Sequence, residues 1–534
     1  MTDRDAQAVI TRDQAAKNPP WESIAALVVE SAKTHGEKEF LRFEDHTSIT
    51  FAAFEEKTRN IADALTDHGI KSGDRVALMM ANGPGWPLCW IAILRAGAIA
   101  VPINNRYQVL DLSHVLKDSG ASAIIVDGAV NSIVEAAIEV CTTVRVALEW
   151  PALLNPPSIS PAIRNPHRLH INDVANFQYT SGTTGFPKAC VLTHDYWLRT
   201  GMLAASVAEI RPDDVVLTSQ PYSYIDPQWH TIMCLISGTP LVVLPRFSAR
   251  GFWPAIRKHQ VTFAYVLGTM PLLLFKQPKS TEDRDHKLRL ILCSGIIPEL
   301  HRAFEDRWGV PWREVYGMTE TGIDLAVPLE GVETVGTGAI GRPVGTKDIR
   351  IVRPDGSICQ QGQTGELVVK GAPMMREYYN LPAETAATIV DGWLHTGDTV
   401  CQDSAGWVHI VGRLKDMIRR AGENIACFEV ESVASQHDSI ESCAVTAIPD
   451  RLLGEEVKIF VKLIDNADAN LETARSVVEF ISQRIAAFKV PRYVEFVDDF
   501  PLTPSERISK PKLLKRKIDQ RSDVYDAADD IWRL

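Results

Sequence analysis

The decisive stretch of this sequence is Tyr179-Thr180-Ser181-Gly182-Thr183-Thr184-Gly185-Phe186-Pro187-Lys188. Its two glycines allow tight backbone turns in which successive N–H groups converge on an anion. Its hydroxyl side chains add donors, and Lys188 supplies a positive charge. The stretch therefore predicts a phosphate-binding loop. The residues expected to hold the phosphates are Thr180, Ser181, Gly182, Thr183, Thr184, Gly185 and Lys188.

The loop differs from the GxxxxGK[ST] phosphate loop, in which lysine directly follows the second glycine and a hydroxyl residue follows the lysine. Here Phe186 and Pro187 separate Gly185 from Lys188, and Ala189 comes next. A Ser/Thr/Gly-rich turn without a ligand is the alternative interpretation. The length of the ordered run argues against that alternative.

Short apolar runs alternate with helical patterns on both sides of the loop. Arg75–Met79 is typical of a buried strand, and Phe51–His68 has the apolar spacing of an amphipathic helix. Strands that alternate with helices predict an α/β fold with largely parallel sheets. The further runs expected to be strands are Ala123–Val126, Val215–Leu217, Pro240–Leu244 and Leu290–Leu292.

The texture of the chain changes near Lys347. Polar-alternating segments with tight turns, such as Arg353-Pro354-Asp355-Gly356, predict a small β-barrel or antiparallel subdomain. Helix–strand alternation returns after Gly412-Arg413-Leu414-Lys415-Asp416. The basic segment Lys510–Arg521 is expected to be a helix near the end of the chain.

Length supports a division into domains, because 534 residues exceed what one hydrophobic core supports. The change of texture puts the boundary near residue 414. We therefore predict a large domain over residues 1–413 and a small, mobile α+β domain over residues 414–534.

Composition excludes several classes of function. The formal net charge of -11 argues against a nucleic-acid partner. Nine scattered cysteines without a CxxC pair indicate free thiols in a reducing compartment. Met1–Pro20 has no apolar signal-peptide core. The uncharged stretches Val76–Leu94 and Pro227–Pro245 contain glycine and proline breakers, so no membrane span and a cytoplasmic protein are expected.

Further motifs occur at ordered intervals, and with the loop they resemble those of the adenylate-forming superfamily. That superfamily comprises acyl-CoA synthetases, adenylation domains of peptide synthetases and luciferases. The resemblance extends over nearly the whole chain. The stretches that carry it are Gly73–Ala77, Ala96–Pro102, Val191–His194, Tyr316-Gly317-Met318-Thr319-Glu320-Thr321-Gly322, Gly392–Asp398 and Gly412–Asp416.

The resemblance implies a two-step reaction with three small-molecule partners. ATP converts a carboxylic acid into its acyl-adenylate, and coenzyme A then takes the acyl group as a thioester. Mg²⁺ is the metal implied. Attack of a carboxylate on the α-phosphate needs positioning and charge neutralisation more than covalent help.

The resemblance also implies roles for residues of the nucleotide site. Glu320 corresponds to the metal-binding glutamate, and Mg²⁺ suits a carboxylate combined with substrate phosphates. Thr184 and Thr319 would contact phosphate. The aromatic face of Tyr316, next to Gly317, would stack on adenine, with Gly295 and its neighbours on the other side of the base.

Residues farther along the chain complete the implied sites. Asp398 would accept hydrogen bonds from the ribose hydroxyls, and Arg413 would donate to the ribose. Lys415 occupies the hinge position at which the small domain rotates between the two half-reactions. Gly422 and Glu423 belong to a loop expected to approach the thiol of coenzyme A.

The acyl pocket is expected to come from the stretch Pro221–His230. This stretch is similar to that of the carnitine/crotonobetaine-CoA ligase-like branch, which often has histidine where Tyr224 stands. Tyr224, Trp229 and His230 are the candidate lining residues, with a purely structural role as the alternative for His230. A tryptophan at this place favours a small to medium acid.

The C-terminal catalytic lysine of the family has no direct match. Family members commonly carry Pro-Arg-Thr-x-x-Gly-Lys, whereas this chain has Pro501-Leu502-Thr503-Pro504-Ser505-Glu506-Arg507-Ile508-Ser509-Lys510. Counting without a gap puts Arg507 at the lysine position, and a three-residue insertion puts Lys510 there. The ungapped count favours Arg507, whose planar charge suits two anionic oxygens.

Three other functions fit the same resemblance. A stand-alone enzyme that loads a carrier protein is disfavoured because no carrier domain follows the basic segment, and nothing supports a luciferase-like oxygenase. A non-catalytic nucleotide- or acyl-binding relative would account for the altered C-terminal motif. The sequence leaves the oligomeric state open, a homodimer included.

Overall fold

The computed structural model describes residues 9–128, 131–154, 169–180, 187–413, 416–420, 423–451, 453–485, 487–503 and 508–533. The chain divides into two compact units. The larger comprises Met1–Gly336, Gly341–Asp348 and Val369–Trp393, and the smaller comprises Thr337–Ile340, Ile349–Val368 and Leu394–Leu534. The predicted division after residue 413 concerns the part of the chain that rotates, and it stays a prediction.

A six-stranded sheet organises the first half of the larger unit. Neighbouring strands are parallel except for the last pair, in which Val174–Thr180 and Lys188–Thr193 run antiparallel. Arg75–Met79 is one of its buried central strands, as its apolar sequence predicts. The strand order is Val146–Glu149, Ala123–Val126, Arg75–Met79, Ile99–Pro102, Val174–Thr180 and Lys188–Thr193.

A second sheet of the larger unit contains six further parallel strands. One antiparallel strand flanks this parallel group on each side. Parallel strands buried on both faces read as continuous apolar runs, which is why the sequence predicts several of them. The order is Gly322–Ala326, Trp312–Met318, Leu290–Ser294, Phe263–Leu267, Val216–Thr218, Leu241–Val243, Glu39–Phe43 and Ser48–Thr50.

Helices cover these sheets in the α/β manner that the alternation predicts. The helix Phe51–Asp67 agrees with its predicted bounds and begins at an N-cap, Thr50, whose side chain accepts from the Ala53 N–H. The other helices of the larger unit are Arg12–Ala15, Ile24–His35, Gly85–Arg95, Val109–Ser119, Asn131–Glu139, His194–Val207, Ile225–Ser237, Phe252–His259, Met270–Phe275, Pro298–Trp308 and Pro382–Thr388.

One close helix pair supports the candidate acyl pocket. The helices His194–Val207 and Ile225–Ser237 pack against each other, and Gly201 lies at their crossing. A Cβ atom on Gly201 would lie 2.5 Å from the Ile232 side chain, so only glycine permits this approach. The close contact between Gly201 and Ile232 therefore fixes the position of the helix Ile225–Ser237.

The smaller unit contains two groups of strands. The first group follows Lys347 in the sequence and includes Asp348–Val352, Gly365–Lys370, Trp393–Gln402 and Val408–Arg413, the last two of which are antiparallel. The second group is a seven-stranded sheet with its own apolar core, built around the antiparallel pair Ile440–Asp450 and Gly454–Leu463. Its other strands are Met417–Arg420, Glu423–Ala426, Tyr493–Phe496, Val524–Asp526 and Ile531–Arg533, and its helices are Cys427–Ala434, Leu471–Ser482 and Lys510–Leu514.

The predicted basic helix Lys510–Arg521 is too long. The helix ends at Leu514. The side-chain amide of Gln520 donates to the carbonyl oxygens of Leu514 at 2.6 Å and Lys517 at 2.7 Å, which closes the chain into turns. The strand Val524–Asp526 then pairs with Tyr493–Phe496. The composition of this segment suits a helix. The side-chain bonds of Gln520 nevertheless end the helix at Leu514, so that the chain can form the following strand.

The predicted α/β class, with a large sheet-rich N-terminal part and a smaller C-terminal domain, is confirmed. Within the described residues, no helix is both long and apolar enough to cross a membrane.

Candidate active site

The Tyr316–Gly322 motif forms the end of one strand, a turn and the start of the next. The strand Trp312–Met318 leaves the parallel sheet and pairs antiparallel with Gly322–Ala326, so Gly317 lies opposite Ile323. A Cβ atom on Gly317 would lie 1.9 Å from the carbonyl oxygen of Gly322. No other residue fits there. The motif thus places Tyr316, Thr319 and Glu320 around a hairpin at the C-terminal end of a parallel strand, where α/β sheets bind ligands.

Glu320 is held by its backbone and by its side chain. Its carbonyl oxygen accepts from the Met375 N–H at 2.6 Å, and its carboxylate Oε1 accepts from the Tyr378 hydroxyl at 2.8 Å. The residue is only 8% exposed. The Thr319 carbonyl oxygen accepts from the Tyr196 hydroxyl at 2.9 Å, which fixes the residue before it.

Lys188 begins the strand that follows the phosphate loop. Its ammonium pairs with the Glu384 carboxylate and lies 5.4 Å from the centre of the Tyr378 ring. The two residues predicted to meet the triphosphate and its metal, Lys188 and Glu320, therefore contact the same tyrosine. Neither Tyr378 nor Glu384 belongs to a motif from which the sequence predicts a role.

The core of the predicted phosphate loop lies outside the described residues. This applies to Ser181, Gly182, Thr183, Thr184 and Gly185. The ends of the loop are described: Thr180 lies opposite Lys188 in the antiparallel pair, and its hydroxyl donates to the Lys188 carbonyl oxygen at 3.5 Å. Thr180 and Lys188, which flank the undescribed residues, therefore lie side by side.

A buried carboxyl shapes the turn at Gly295. The Gly295 N–H donates to Glu314 Oε1 at 2.6 Å and the Ile296 N–H donates to Oε2 at 2.9 Å. Gly295 has φ +104°, which strongly favours glycine. Burial raises the pKa of Glu314 to about 8, against the lowering effect of the two N–H donors. A charged residue two positions before Tyr316, inside an apolar strand, is the sequence signal that would have pointed to this role.

The candidate acyl-pocket residues lie at the start of the helix Ile225–Ser237. Tyr224 precedes the helix, and its hydroxyl accepts from the Asn104 amide at 2.8 Å. A buried amide cluster fixes the backbone there, because Gln228 donates to the carbonyl oxygens of Tyr222 and Tyr224. The other members of the cluster are Asn176 and Gln178.

Trp229 and His230 lie deeper in the same helix. Trp229 is 4% exposed and His230 is fully buried, with ring centres 3.8 Å apart. His230 Nδ1 is 3.2 Å from the Thr218 hydroxyl oxygen, and its Nε2 atom has no hydrogen-bond partner among the described residues. Burial lowers the pKa of His230 to about 3, so the ring is neutral at physiological pH.

The smaller unit holds Asp398 in a fixed turn. The residue is 2% exposed, and its N–H donates to the Thr396 hydroxyl at 3.1 Å. Glu366 accepts from the Gly397 N–H at 3.0 Å and contacts His395 Nδ1 at 2.8 Å. Asp398 lies opposite Arg413 in the strand pairing, so the two predicted ribose contacts are neighbours.

The predicted hinge and coenzyme A residues lie at the edge of what the structure describes. Lys415 and Gly422 lie outside the described residues, and Glu423 pairs with Arg420 in adjacent strands. Arg420 is not a freely solvated charge, because its guanidinium pairs with the fully buried Glu456. It anchors the strand Met417–Arg420, which ends two residues before Gly422 in the sequence.

The structure describes only one of the two candidates for the C-terminal catalytic cation. Arg507 lies outside the described residues. Lys510 is described, and its ammonium lies 2.9 Å from Glu431 Oε1 and 3.5 Å from Asp416 Oδ2. Burial acts to lower the pKa of Lys510, but the charges of these partners outweigh it and raise the pKa.

The residues present suit Mg²⁺ bound together with a nucleotide. Within the described part of the chain, no group of three or more His, Cys, Asp or Glu side chains could hold a metal ion alone. Glu320 offers a fixed carboxylate, which is a hard oxygen ligand, and Mg²⁺ is commonly held by one carboxylate plus substrate phosphates.

Comparison with known families identifies the class of protein. The family model described as AMP-binding enzyme matches residues 28–379, and the model described as AMP-binding enzyme C-terminal domain matches residues 429–507. The first match covers well over half of the chain. The chain belongs to the AMP-binding enzyme family.

Individual relatives show which members of the family the chain is similar to. The crotonobetaine/carnitine–CoA ligase of Proteus mirabilis is 32% identical over 487 residues, covering 87% of this chain and 93% of the relative. The enzyme of the same name from Citrobacter koseri is 32% identical over 514 residues, covering 90% and 97%. The predicted resemblance to this branch of acyl-CoA ligases is confirmed.

A solved structure agrees in fold over most of both chains. The o-succinylbenzoate CoA synthetase of Bacillus subtilis, in complex with its acyl-adenylate intermediate, superposes with a TM-score of 0.81. It shares 26% sequence identity, and the match covers 91% of this chain and 97% of that one.

Proposed function

We propose that this enzyme is an AMP-forming carboxylic acid:CoA ligase. The observation that carries the proposal is the meeting of Lys188 and Glu320 at the Tyr378 side chain. A cation for phosphate and a fixed carboxylate for Mg²⁺, supported on one ring, suit the binding of Mg·ATP. The membership of the AMP-binding family and the CoA ligase relatives support the same conclusion.

In the first half-reaction, a carboxylate oxygen of the acid attacks the α-phosphorus of ATP. The bond to the bridging oxygen breaks, and the products are acyl-AMP and pyrophosphate. We assign Lys188, Thr184 and Thr319 to the phosphates and Glu320 to the metal. Bound Mg²⁺ supplies neutralisation of the phosphate charge. Tyr316, Gly317 and Gly295 would hold the adenine, and Asp398 and Arg413 the ribose.

In the second half-reaction, the sulfur of coenzyme A attacks the acyl carbon. The bond between that carbon and the AMP oxygen breaks, AMP leaves, and the thiol proton passes to solvent or to AMP. We assign Lys415 to the hinge that exchanges the two half-reactions, and Gly422 and Glu423 to the path of the thiol. Arg420, two residues before Gly422, is anchored on buried Glu456.

We assign the C-terminal catalytic cation to Arg507. Lys510 already compensates two carboxylates of its own unit, and releasing it would leave Glu431 and Asp416 without that charge. Arginine presents a planar fork that can contact the acid and the α-phosphate together.

The acid is proposed to be small to medium in size. Tyr224, Trp229 and His230 would line its pocket, and two of these three side chains are closely packed already. Betaine-type acids are candidates because the relatives are named as crotonobetaine/carnitine–CoA ligases. The nine unpaired cysteines support a reducing, cytoplasmic location.

A pyrophosphate-release screen tests the proposal. Wild-type enzyme, ATP and Mg²⁺ are combined with short aliphatic, medium-chain, aromatic and betaine-type acids, each with and without coenzyme A. We expect at least one acid to release pyrophosphate and, with coenzyme A, to give its thioester. Glu320→Ala should remain folded and lose this Mg²⁺-dependent release. Absence of turnover with every acid would favour a non-catalytic binding relative.

A further inference from the structure

The segment Met375–Tyr379 runs antiparallel beside the strand Lys188–Thr193. The Arg376 N–H donates to the Val191 carbonyl oxygen at 2.9 Å, and the Tyr379 N–H donates to that of Ala189 at 2.8 Å. Tyr378 itself forms a β-bridge with Cys190. The backbone of Tyr378 is therefore fixed to the strand that begins at Lys188.

The same segment is also tied to the Glu320 turn. The Met375 N–H donates to the Glu320 carbonyl oxygen at 2.6 Å, three residues before Tyr378. The Tyr378 N–H donates to the Thr385 hydroxyl at 3.0 Å. These bonds connect two parts of the site that lie far apart in sequence, before any side-chain contact is considered.

The Tyr378 side chain completes the connection. Its hydroxyl donates to Glu320 Oε1 at 2.8 Å, and its ring lies 5.4 Å from the Lys188 ammonium. The residue is buried. A carboxylate has only acceptor oxygens, so the hydroxyl is the donor of this bond.

We propose that Tyr378 is a positioning residue for Mg·ATP. Its hydroxyl occupies one oxygen of Glu320 and fixes the plane of the carboxylate, so that the group is held ready for the metal. Its ring keeps the Lys188 ammonium beside the same site through a cation–π contact. The inference rests on the proposed function, because it assumes that Glu320 holds Mg²⁺ in an ATP complex.

The substitution Tyr378→Phe removes the hydroxyl and keeps the ring. Calorimetric titration of ATP is compared in excess Mg²⁺ and in EDTA. We expect ATP to bind about tenfold more weakly in Mg²⁺, because partners that orient a metal ligand typically contribute that much to metal affinity. Binding in EDTA should stay within about twofold, since Glu320 then has no metal to hold. The Mg²⁺ concentration for half-maximal pyrophosphate release should rise in parallel.

Tyr379→Phe is the matched control. It makes the same change one residue away, where the ring packs on Phe177 with centres 4.2 Å apart. Its ATP affinity in Mg²⁺ should equal that of the wild type. If Tyr378→Phe binds Mg·ATP as tightly as the control, or weakens ATP equally with and without Mg²⁺, the positioning role is wrong.

A second probe covers the case in which Tyr378→Phe does not fold. 3-Fluorotyrosine at position 378 keeps the ring and the hydroxyl and reports on them by ¹⁹F NMR. Its signal should move on addition of Mg·ATP and move less with ATP in EDTA. An unmoved signal would overturn the inference. Pyrophosphate release by the wild type tests the proposed function separately, so the two failures are distinguishable.

Discussion

The ammonium of Lys510 lies 2.9 Å from Glu431 Oε1 within the smaller unit, and Asp416 is its second acidic neighbour. The lysine side chain is only 19% exposed. The Lys510 charge therefore neutralises two carboxylates of its own unit. This relationship bears on the choice between Arg507 and Lys510, the two residues proposed for the C-terminal catalytic cation.

Arg507→Ala should therefore remove adenylation, and Lys510→Ala should not. We expect the arginine variant to lose acyl-adenylate formation by about a thousandfold, as when a transition-state charge donor is removed. Its transfer of coenzyme A to preformed acyl-adenylate should barely change. Lys510→Ala should instead lower the free energy of unfolding by about 1–3 kcal/mol, because two carboxylates lose their partner.

Rapid-quench measurement of the two half-reactions, with thermal unfolding alongside, checks both variants. A Lys510→Ala protein that is folded but unable to adenylate would move the catalytic role to Lys510.

Gly422→Leu should separate the half-reactions in the opposite sense. A bulky side chain on the proposed thiol path should impair thioester formation at least about tenfold more than adenylate formation, because only the second step needs that path. Single-turnover assays from ATP and from preformed acyl-adenylate measure the two steps in one preparation. Equal losses in both would argue against a thiol path at Gly422.

We expect Glu384 to compete with the phosphates of ATP for Lys188. The two side chains form an ion pair, and Glu384 is 48% exposed on its side-chain surface. If phosphates replace the carboxylate, Glu384→Gln should lower KM for ATP about two- to fivefold, since a partly exposed ion pair contributes up to about 1 kcal/mol. The difference should shrink at high salt, where such charges are screened.

Glu377→Gln provides the control for this charge change, because Glu377 is an exposed carboxylate in the same region. Its KM for ATP should match that of the wild type. A raised KM in Glu384→Gln would mean that the glutamate orients Lys188 for ATP and does not compete with it.

His230 should make the fold sensitive to acid. The pKa of its imidazole is about 3 in the folded protein and near 6.5 when unfolded, so its contribution to stability is complete above pH 6.5 and is lost as pH falls toward 3. Between pH 6 and 4, the wild type should lose up to about 1.4 kcal/mol per pH unit relative to His230→Leu. Urea unfolding across this range measures the difference.

His68→Leu is the comparison variant, because His68 is exposed at a helix end. It controls for the replacement of one histidine by leucine at an exposed position. A His230→Leu protein with the same pH dependence as the wild type would show that the imidazole does not stay neutral in the folded state.

The sequence predicted those parts that local pattern and motif determine. Arg75–Met79 is predicted as a buried strand because parallel strands are apolar on both faces. The motif that contains Glu320 is recognisable in the sequence, whereas the metal-binding role of Glu320 stays a prediction. Tyr378 and Glu384 could not be found in this way. Both residues lie about 190 positions after Lys188 in the sequence, in a segment without a periodic apolar pattern. Tyr378 comes close to Lys188 only because its backbone pairs with Cys190 and its neighbours pair with the same strand.

At the C-terminal helix, a local sequence pattern predicted more structure than the chain forms. The composition of Lys510–Arg521 suits a helix, yet the Gln520 amide binds the Leu514 carbonyl oxygen and the helix ends there. Local preference gives way because the chain must reach the strand Val524–Asp526.

Transfer of ¹⁸O from the acid to AMP tests whether the reaction passes through an acyl-adenylate. An accepted acid labelled in both carboxylate oxygens is converted with ATP, Mg²⁺ and coenzyme A, and the nucleotide product is analysed by mass spectrometry. Attack of the carboxylate on the α-phosphorus predicts AMP that carries one ¹⁸O atom, formed in step with pyrophosphate and the thioester. ADP as the product, or AMP without label, would contradict an acyl-adenylate route.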